Sequence, residues 1–252
     1  MNVSLRGLIG RATLVATCLV LPGSLAAAEA EPDSSRLTVS AELDIVSHYV
    51  WRALTYSEGV VGQPSVTLTA GSAELNLWAN VDPSLSGSDR LNEVDYSAAW
   101  SLDLGGLEAK SSLVLYTYPG FGDASTGEIQ IELWRALPSG FGAFARHSLD
   151  VFDYRGASFT TLGVEREWSV PSSGSLSVTA QVGHGSQRFS DVYLPDGPAL
   201  SVAGLGASWT VAVGRGWALR PHVDWLEVVE ADARALLPAH TPLTFGLALG
   251  RP

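Results

Sequence analysis

Period-two alternation constrains this chain more than any other feature. From Leu37, odd positions read Leu37, Val39, Ala41, Leu43, Ile45, Tyr49 and Trp51, while even positions read Thr38, Ser40, Glu42, Asp44, His48 and Arg52. Successive side chains of a strand point to opposite faces, so a strand sorts these two sets cleanly where a helix would scatter the carboxylates. The sorting recurs. Leu75, Leu77 and Val81 alternate with Glu74, Asn76 and Asn80; Val94, Tyr96 and Trp100 with Glu93, Asp95 and Ser97; Ile129, Ile131 and Leu133 with Glu128, Gln130 and Glu132. Val223 and Trp225 oppose Arg220, His222 and Asp224. No helical period competes with this pattern outside the N-terminal leader, so the chain is all-β.

About twelve such segments follow one another, over 36–52, 64–70, 73–81, 92–104, 107–118, 127–135, 141–151, 158–168, 175–184, 200–211, 217–227 and 242–250. Their connections alternate in length. Gly71-Ser72, Gly105-Gly106, Pro138-Ser139-Gly140, 171–174 and 214–216 are tight and supply the residues that hairpin turns favour. The links over 53–63, 82–91, 119–126, 185–199 and 228–241 are longer and more polar, with 152–157 the exception. Short turns at one end and long loops at the other characterise an antiparallel up-and-down transmembrane β-barrel, with periplasmic turns and extracellular loops. No linker divides the chain, so residues 31–252 form one barrel domain, closed by pairing the last segment with the first.

Alternation alone does not say whether the apolar face is a core or a lipid-facing exterior. A soluble sandwich or barrel would bury it; a membrane barrel turns it outward. Three features favour the membrane. Charged residues are only 16% of the chain, and the polar face mixes signs with a single lysine, Lys110. Several segments reach the nine to eleven residues a tilted spanning strand needs. Aromatics on the apolar face gather near segment ends, Tyr49, Trp51, Tyr96 and Trp225 at the loop end and Trp168, Trp209 and Trp217 at the turn end, as two interfacial girdles would.

The leader fits this destination. Arg6 and Arg11 precede an apolar stretch over Ala12–Leu21, and small residues follow, so residues 1–30 read as a signal peptide cleaved after Ala28 or Ala30. The only cysteine, Cys18, lies in that stretch, which leaves the mature chain without a disulfide or thiolate metal site. Acidic residues outnumber basic ones, 26 to 15, for a net charge of -11, and this excludes a generic nucleic-acid binder.

Ser47-His48-Tyr49-Val50-Trp51-Arg52 after an alternating strand resembles the aromatic-Arg motif that opens the TorF-type family of outer-membrane porins. Tyr116-Thr117-Tyr118-Pro119-Gly120, followed by Glu128-Ile129-Gln130, is similar to that family's second landmark. The resemblance is best over 37–135 and implies a porin-like barrel in the outer membrane of a Gram-negative bacterium, without naming a solute. The chain departs from the usual barrel ending by closing on Gly250-Arg251-Pro252, with Phe245 the nearest aromatic.

By parity the lumen is lined by Glu42, Asp44, His48, Arg52, Glu74, Asp95, Glu108, Lys110, Glu128, Glu132, Arg146, Arg220, His222 and Asp224. Carboxylates dominate, and acidic linings raise local cation concentration. The expected function is a porin-like channel for small solutes with a cation preference. The alternative is a non-conducting barrel, plugged by ion pairs, that binds a partner or serves structurally through its long loops; a soluble periplasmic barrel stands third. Expected partners are outer-membrane lipid, envelope chaperones, the barrel-assembly machinery and small solutes. No enzyme is expected: no Gly-x-Ser-x-Gly, HExxH or phosphate-binding loop stands in usable context. Ser47 and His48, as strand neighbours, would face opposite sides and form no dyad. No cofactor or metal site is expected.

Overall fold

The computed structural model describes residues 37–119, 125–170, 174–194 and 196–251. The expected leader and cleavage site, with Cys18, lie outside the described residues. The wall of the molecule is one closed antiparallel sheet of twelve strands. In chain order they are β1 (Leu37–Val46), β4 (Val61–Ala70), β5 (Ala73–Val81), β6 (Leu91–Asp103), β7 (Leu107–Thr117), β8 (Ser125–Ala136), β9 (Gly142–Asp150), β10 (Ser158–Val170), β11 (Gly174–Gly185), β12 (Ser201–Gly214), β13 (Trp217–Val228) and β14 (Leu243–Arg251). Two short strands, β2 (Tyr49–Trp51) and β3 (Leu54–Ser57), form a separate two-stranded sheet.

Each wall strand pairs with its sequence neighbours, and β14 closes the ring on β1 with Ile45 opposite Leu247 and Leu43 opposite Leu249. Closure leaves no edge strand, so every wall strand has ladder partners on both sides. The outer face carries the apolar set: Leu37, Leu75, Trp100, Leu113, Ile131, Leu162, Leu205 and Phe245 are all exposed. A soluble protein would hide these side chains. Their display around the whole wall, with the charges turned inward, is the arrangement of a barrel solvated by lipid.

Two ends differ. One carries the tight links, including Gly71-Ser72, and Gly105-Gly106, both in the left-handed region that glycine adopts freely. The other carries all the additional structure: the β2–β3 hairpin, a 3₁₀ turn over Gly87–Arg90, and the helices α1 (Gln187–Tyr193) and α2 (Ala231–Ala235). Ser186 caps α1 by accepting a hydrogen bond from the Phe189 amide.

The structure corrects the alternation at its start. The expected strand over 36–52 ends at Val46, and the link expected over 53–63 contains β3 and the first three residues of β4. Ser47 marks the break: its amide donates to the Phe245 carbonyl and its Oγ accepts from the Phe245 amide, which ties the chain to the rim of β14. Beyond that rim the chain turns inward. The odd–even pattern runs on through Tyr49 and Trp51, but these residues no longer belong to the wall.

Candidate functional site

The lumen has two compartments, set by what the inward positions carry. At the loop end, Trp78 of β5, Tyr116 of β7, Phe159 of β10, Val202 of β12 and Val228 of β13 point inward from around the ring. They meet Tyr49, Trp51, Ala53 and Leu54 of the hairpin and Phe189 of α1 in one buried cluster. Trp51 is 1% exposed and stacks against Phe189 and Tyr193, with ring centroids 5.7 and 5.3 Å away. Side chains from opposite walls sharing one core means that the lumen is filled at this level. Each of these large residues contributes about 1.5–3 kcal/mol by burial.

The hairpin is pinned by polar contacts inside this apolar plug. Its turn residues, Arg52 and Ala53, both have positive φ, 48° and 63°, as a two-residue type I′ turn requires. Asn-Gly would adopt this shape cheaply; here two side-chain-bearing residues are held in it at a cost of about 1 kcal/mol each or more. The Arg52 guanidinium donates to both carboxylate oxygens of Glu128 on β8, at 3.0 and 2.9 Å, and both partners are buried. Its flat face lies 4.1 Å from the Trp51 ring and 4.8 Å from Phe159. Tyr116 Oη donates to the same Glu128 at 3.0 Å, and Tyr49 Oη donates to Glu93 on β6 at 2.9 Å. Apolar packing fills the space, and two carboxylates fix the register.

Toward the turn end the lumen holds a cavity of about 530 Å³, lined by both polar and apolar side chains, with the hairpin as its ceiling. Its lining mixes hydroxyls, such as Ser65, Ser177, Thr179 and Ser208, with paired charges. Arg220 donates to Glu42 at 2.7 Å, and Arg146 Nε donates to Glu132 at 2.6 Å. His222 bridges two carboxylates, Asp44 at 3.0 Å through Nε2 and Asp224 at 2.8 Å through Nδ1. Trp134 Nε1 donates to Glu165 at 2.7 Å. Elsewhere in the lumen Lys110 donates to Glu74 at 2.9 Å.

The contacts of Arg220 and His222 depend on the strand between β13 and β1. The inward face of β14 is Thr244, Gly246, Ala248 and Gly250, all small, while its outer face is Leu243, Phe245, Leu247 and Leu249. Gly246 sits directly opposite His222, and any Cβ there would collide with the imidazole ring. The glycine lets the ring lie across β14 and reach Asp44 on β1. Ala248, fully buried, is covered in the same layer.

Most of the residues assigned to the lumen by parity therefore face it: Glu42, Asp44, Glu74, Lys110, Glu128, Glu132, Arg146, Arg220, His222 and Asp224 all take part in the ion pairs above. Asp95 faces inward and is buried beside Glu93, in the loop half. Glu108 lies on β7 opposite Asp103 near the turn end and is exposed. Arg52 enters the lumen from the hairpin, off the wall. His48 also leaves the wall, and its Nδ1 lies 2.9 Å from Ser47 Oγ. The expected opposition of these two neighbours fails because β1 has already ended.

Of the aromatics assigned to the girdles, Tyr96, Trp168, Trp209 and Trp217 are exposed on the outer face, with Trp225 partly so. Tyr49 and Trp51 are not on that face: they are 2% and 1% exposed, inside the plug, because the hairpin carries them over the rim. Phe159 and Phe189, which fix the hairpin from the wall and from α1, carry no signal of that role in the sequence, whereas Glu93 stands on the polar face by parity. Trp78 gave a signal: an indole on an otherwise polar face, flanked by Asn76 and Asn80.

Fold and site together define a closed, twelve-stranded, up-and-down β-barrel with an apolar exterior and a charged interior. No family model and no curated protein matches the sequence, and the TorF-type likeness has no counterpart among these comparisons. Solved structures do match. A porin, KdgM, in complex with disordered oligogalacturonate superposes with a TM-score of 0.54 at 7% identity, over 85% of this chain and 98% of that one. An outer membrane channel from Pseudomonas putida F1 superposes with a TM-score of 0.50 at 10% identity, over 88% of this chain and 99% of that one. At such identities the likeness is one of fold.

Proposed function

We propose that the chain is a porin-like channel of the Gram-negative outer membrane that passes small solutes and prefers cations. The observation that carries this reading is a cavity of about 530 Å³, lined in part by charged and hydroxyl side chains, inside a closed barrel whose outer wall is apolar. A wall of this kind is stable in lipid, and a charged lumen of this kind has no packing purpose that an apolar core would not serve better. Both superposable barrels named above are a porin and a channel, which supports the same reading.

The cation preference rests on the unequal pairing of charges. His222 serves two carboxylates, Asp44 and Asp224. Glu108, Glu165 and Glu167 have no cationic partner among the described residues. Carboxylates in a low-dielectric passage attract cations and repel anions. The partners this implies are outer-membrane lipid around the wall, small solutes in the lumen, and the envelope chaperones and assembly machinery that deliver such barrels.

The test is a reversal potential in a planar bilayer under a potassium chloride gradient. The reading predicts a cation-selective potential that falls toward zero in the triple variant Glu108→Gln, Glu165→Gln, Glu167→Gln. An anion-selective potential contradicts the preference, and a folded barrel that never conducts under any voltage contradicts the channel.

A second reading is favoured by one observation, the filled loop end. A permanently closed barrel would act through α1, α2 and the loops that carry them. It predicts binding to the cell-surface side that is lost when 185–199 or 228–241 is shortened, with no conductance in any variant.

A further inference from the structure

We infer that the β2–β3 hairpin is a gate: a strained insert held in the lumen by two carboxylate latches, whose withdrawal joins the turn-end cavity to the loop end. This rests on the channel reading above and names the element that controls it.

Four observations converge on residues 47–60. The hairpin makes no ladder with the wall: β2 and β3 pair only with each other, so it can leave without breaking the closed sheet. It supplies the ceiling of the turn-end cavity, since Tyr49, Val50, Trp51 and Arg52 line it from above. Its turn holds two consecutive non-glycine residues at positive φ, a conformation the chain leaves readily once its side-chain contacts are lost. Its attachments are unequal. Ser47 is bonded twice to the Phe245 backbone at the start, and Thr55 Oγ1 on β3 accepts from the Thr241 amide, whereas Glu58, Gly59 and Val60 at the end are exposed, and a Cβ at Gly59 would meet open space.

The latches explain how such an insert stays in place. Arg52 is buried with its charge, and among the described residues Glu128 alone forms an ion pair with it, bidentately, with the aromatic faces of Trp51 and Phe159 against the guanidinium. Tyr49 Oη, three residues before Arg52 on β2, donates to Glu93 on β6. Both latches end on carboxylates of the wall. A passing cation is attracted to the same groups, so the residues that close the path are also those that would receive the ion once the hairpin has moved. Removing one latch partner leaves the other buried and uncompensated, which favours withdrawal.

The experiment compares four barrels in planar bilayers: wild type, Arg52→Ala, the charge exchange Arg52→Glu with Glu128→Arg, and a chain in which Val50–Tyr56 is replaced by Gly-Ser-Gly. Heat-modifiable gel migration establishes that each is folded. The proposal predicts that the wild type is closed for most of the record and that Arg52→Ala raises the open fraction at least tenfold. The charge exchange returns it toward wild type, and the shortened hairpin is open throughout. A wild type that conducts steadily, with Arg52→Ala and the shortened hairpin unchanged from it, overturns the gate and leaves the channel standing. A shortened hairpin that is folded and silent overturns both, because the closure then lies elsewhere.

Discussion

The two halves of this lumen are built on the same strands and differ in what their inward positions hold and in the hairpin and α1 that enter the loop half. On β10 the loop-end inward residue is Phe159 and the turn-half ones are Thr161, Glu165 and Glu167; on β13, Val228 stands at one end and Arg220, His222 and Asp224 further down. The loop half behaves as a protein core, with aromatic residues packed against one another and charge admitted as the Arg52–Glu128 pair and the buried carboxyls of Glu93 and Asp95. The turn half keeps its charges partly hydrated, so side chains of Arg220 and Glu42 are each about a quarter exposed. A single alternating pattern can therefore produce either a plug or a vestibule. The chemical identity of the inward residue decides which.

The contrast sets an order of expected effects. The largest belongs to the loop half. Glu128→Gln leaves the Arg52 guanidinium buried without a counter-charge, and the cost is about 3–5 kcal/mol. It should appear in denaturant unfolding or as a lower temperature of the heat-modifiable transition, with Arg52→Met/Glu128→Leu recovering much of the loss.

Next in size are substitutions that fill the spaces beneath large inward side chains. A Cβ at Gly163 would overlap the Phe144 ring, and one at Gly246 would overlap His222. Gly163→Val and Gly246→Val should each cost about 1–3 kcal/mol, the usual range for overpacking. They should differ in a second readout: Gly246→Val also separates His222 from Asp44 and so changes ion selectivity, whereas Gly163→Val leaves selectivity alone.

Breaking a turn-half pair should matter less to stability. Arg220→Gln or Glu42→Gln removes a partly exposed pair, worth about 0–1 kcal/mol. The expected signature is electrical. Arg220→Gln frees a carboxylate and raises cation selectivity, and Glu42→Gln lowers it. Equal destabilisation by Arg220→Gln and Glu128→Gln would erase the distinction between the halves.

The smallest effect lies outside the wall, in the β5–β6 link. Burial pushes the Asp82 carboxyl up, but hydrogen bonds from the Ser84 hydroxyl and amide outweigh it and hold the group below its ordinary value. A depressed carboxyl stabilises the link above its unfolded value, and that contribution is lost as pH falls through the folded one. Ser84→Ala should move the Asp82 titration, followed by NMR, to higher pH and make the link open at a less acidic pH.

Much of this was legible in the residues. Period-two sorting marked the wall strands from Leu37 to Leu249, and the glycine turns set their hairpin order, because both signals are local. The ion pairs were foreseen only as an inward set. Which charge meets which depends on register and on small residues in intervening strands, such as Gly246 between His222 and Asp44, and neither is written in any one segment. The hairpin was missed for a stricter reason. Tyr49 and Trp51 continue the alternation of β1 without interruption, so parity placed them on the lipid face. Only closure of the ring shows that β1 ends at Val46, opposite Gly246 of β14, and that the aromatics beyond must turn inward. An arginine at the tip of an aromatic hairpin, Arg52 after Trp51, was the residue whose charge did not suit a girdle.

The central claim is that one end of the lumen is packed shut and the other is open to water. Single cysteines test it most directly, one at Ser208 on the cavity wall and one at Val228 in the plug, in the folded barrel reconstituted in lipid. A charged, membrane-impermeant thiol reagent should modify Ser208→Cys rapidly and leave Val228→Cys protected until the barrel is unfolded. Equal rates of modification at the two positions would contradict the account.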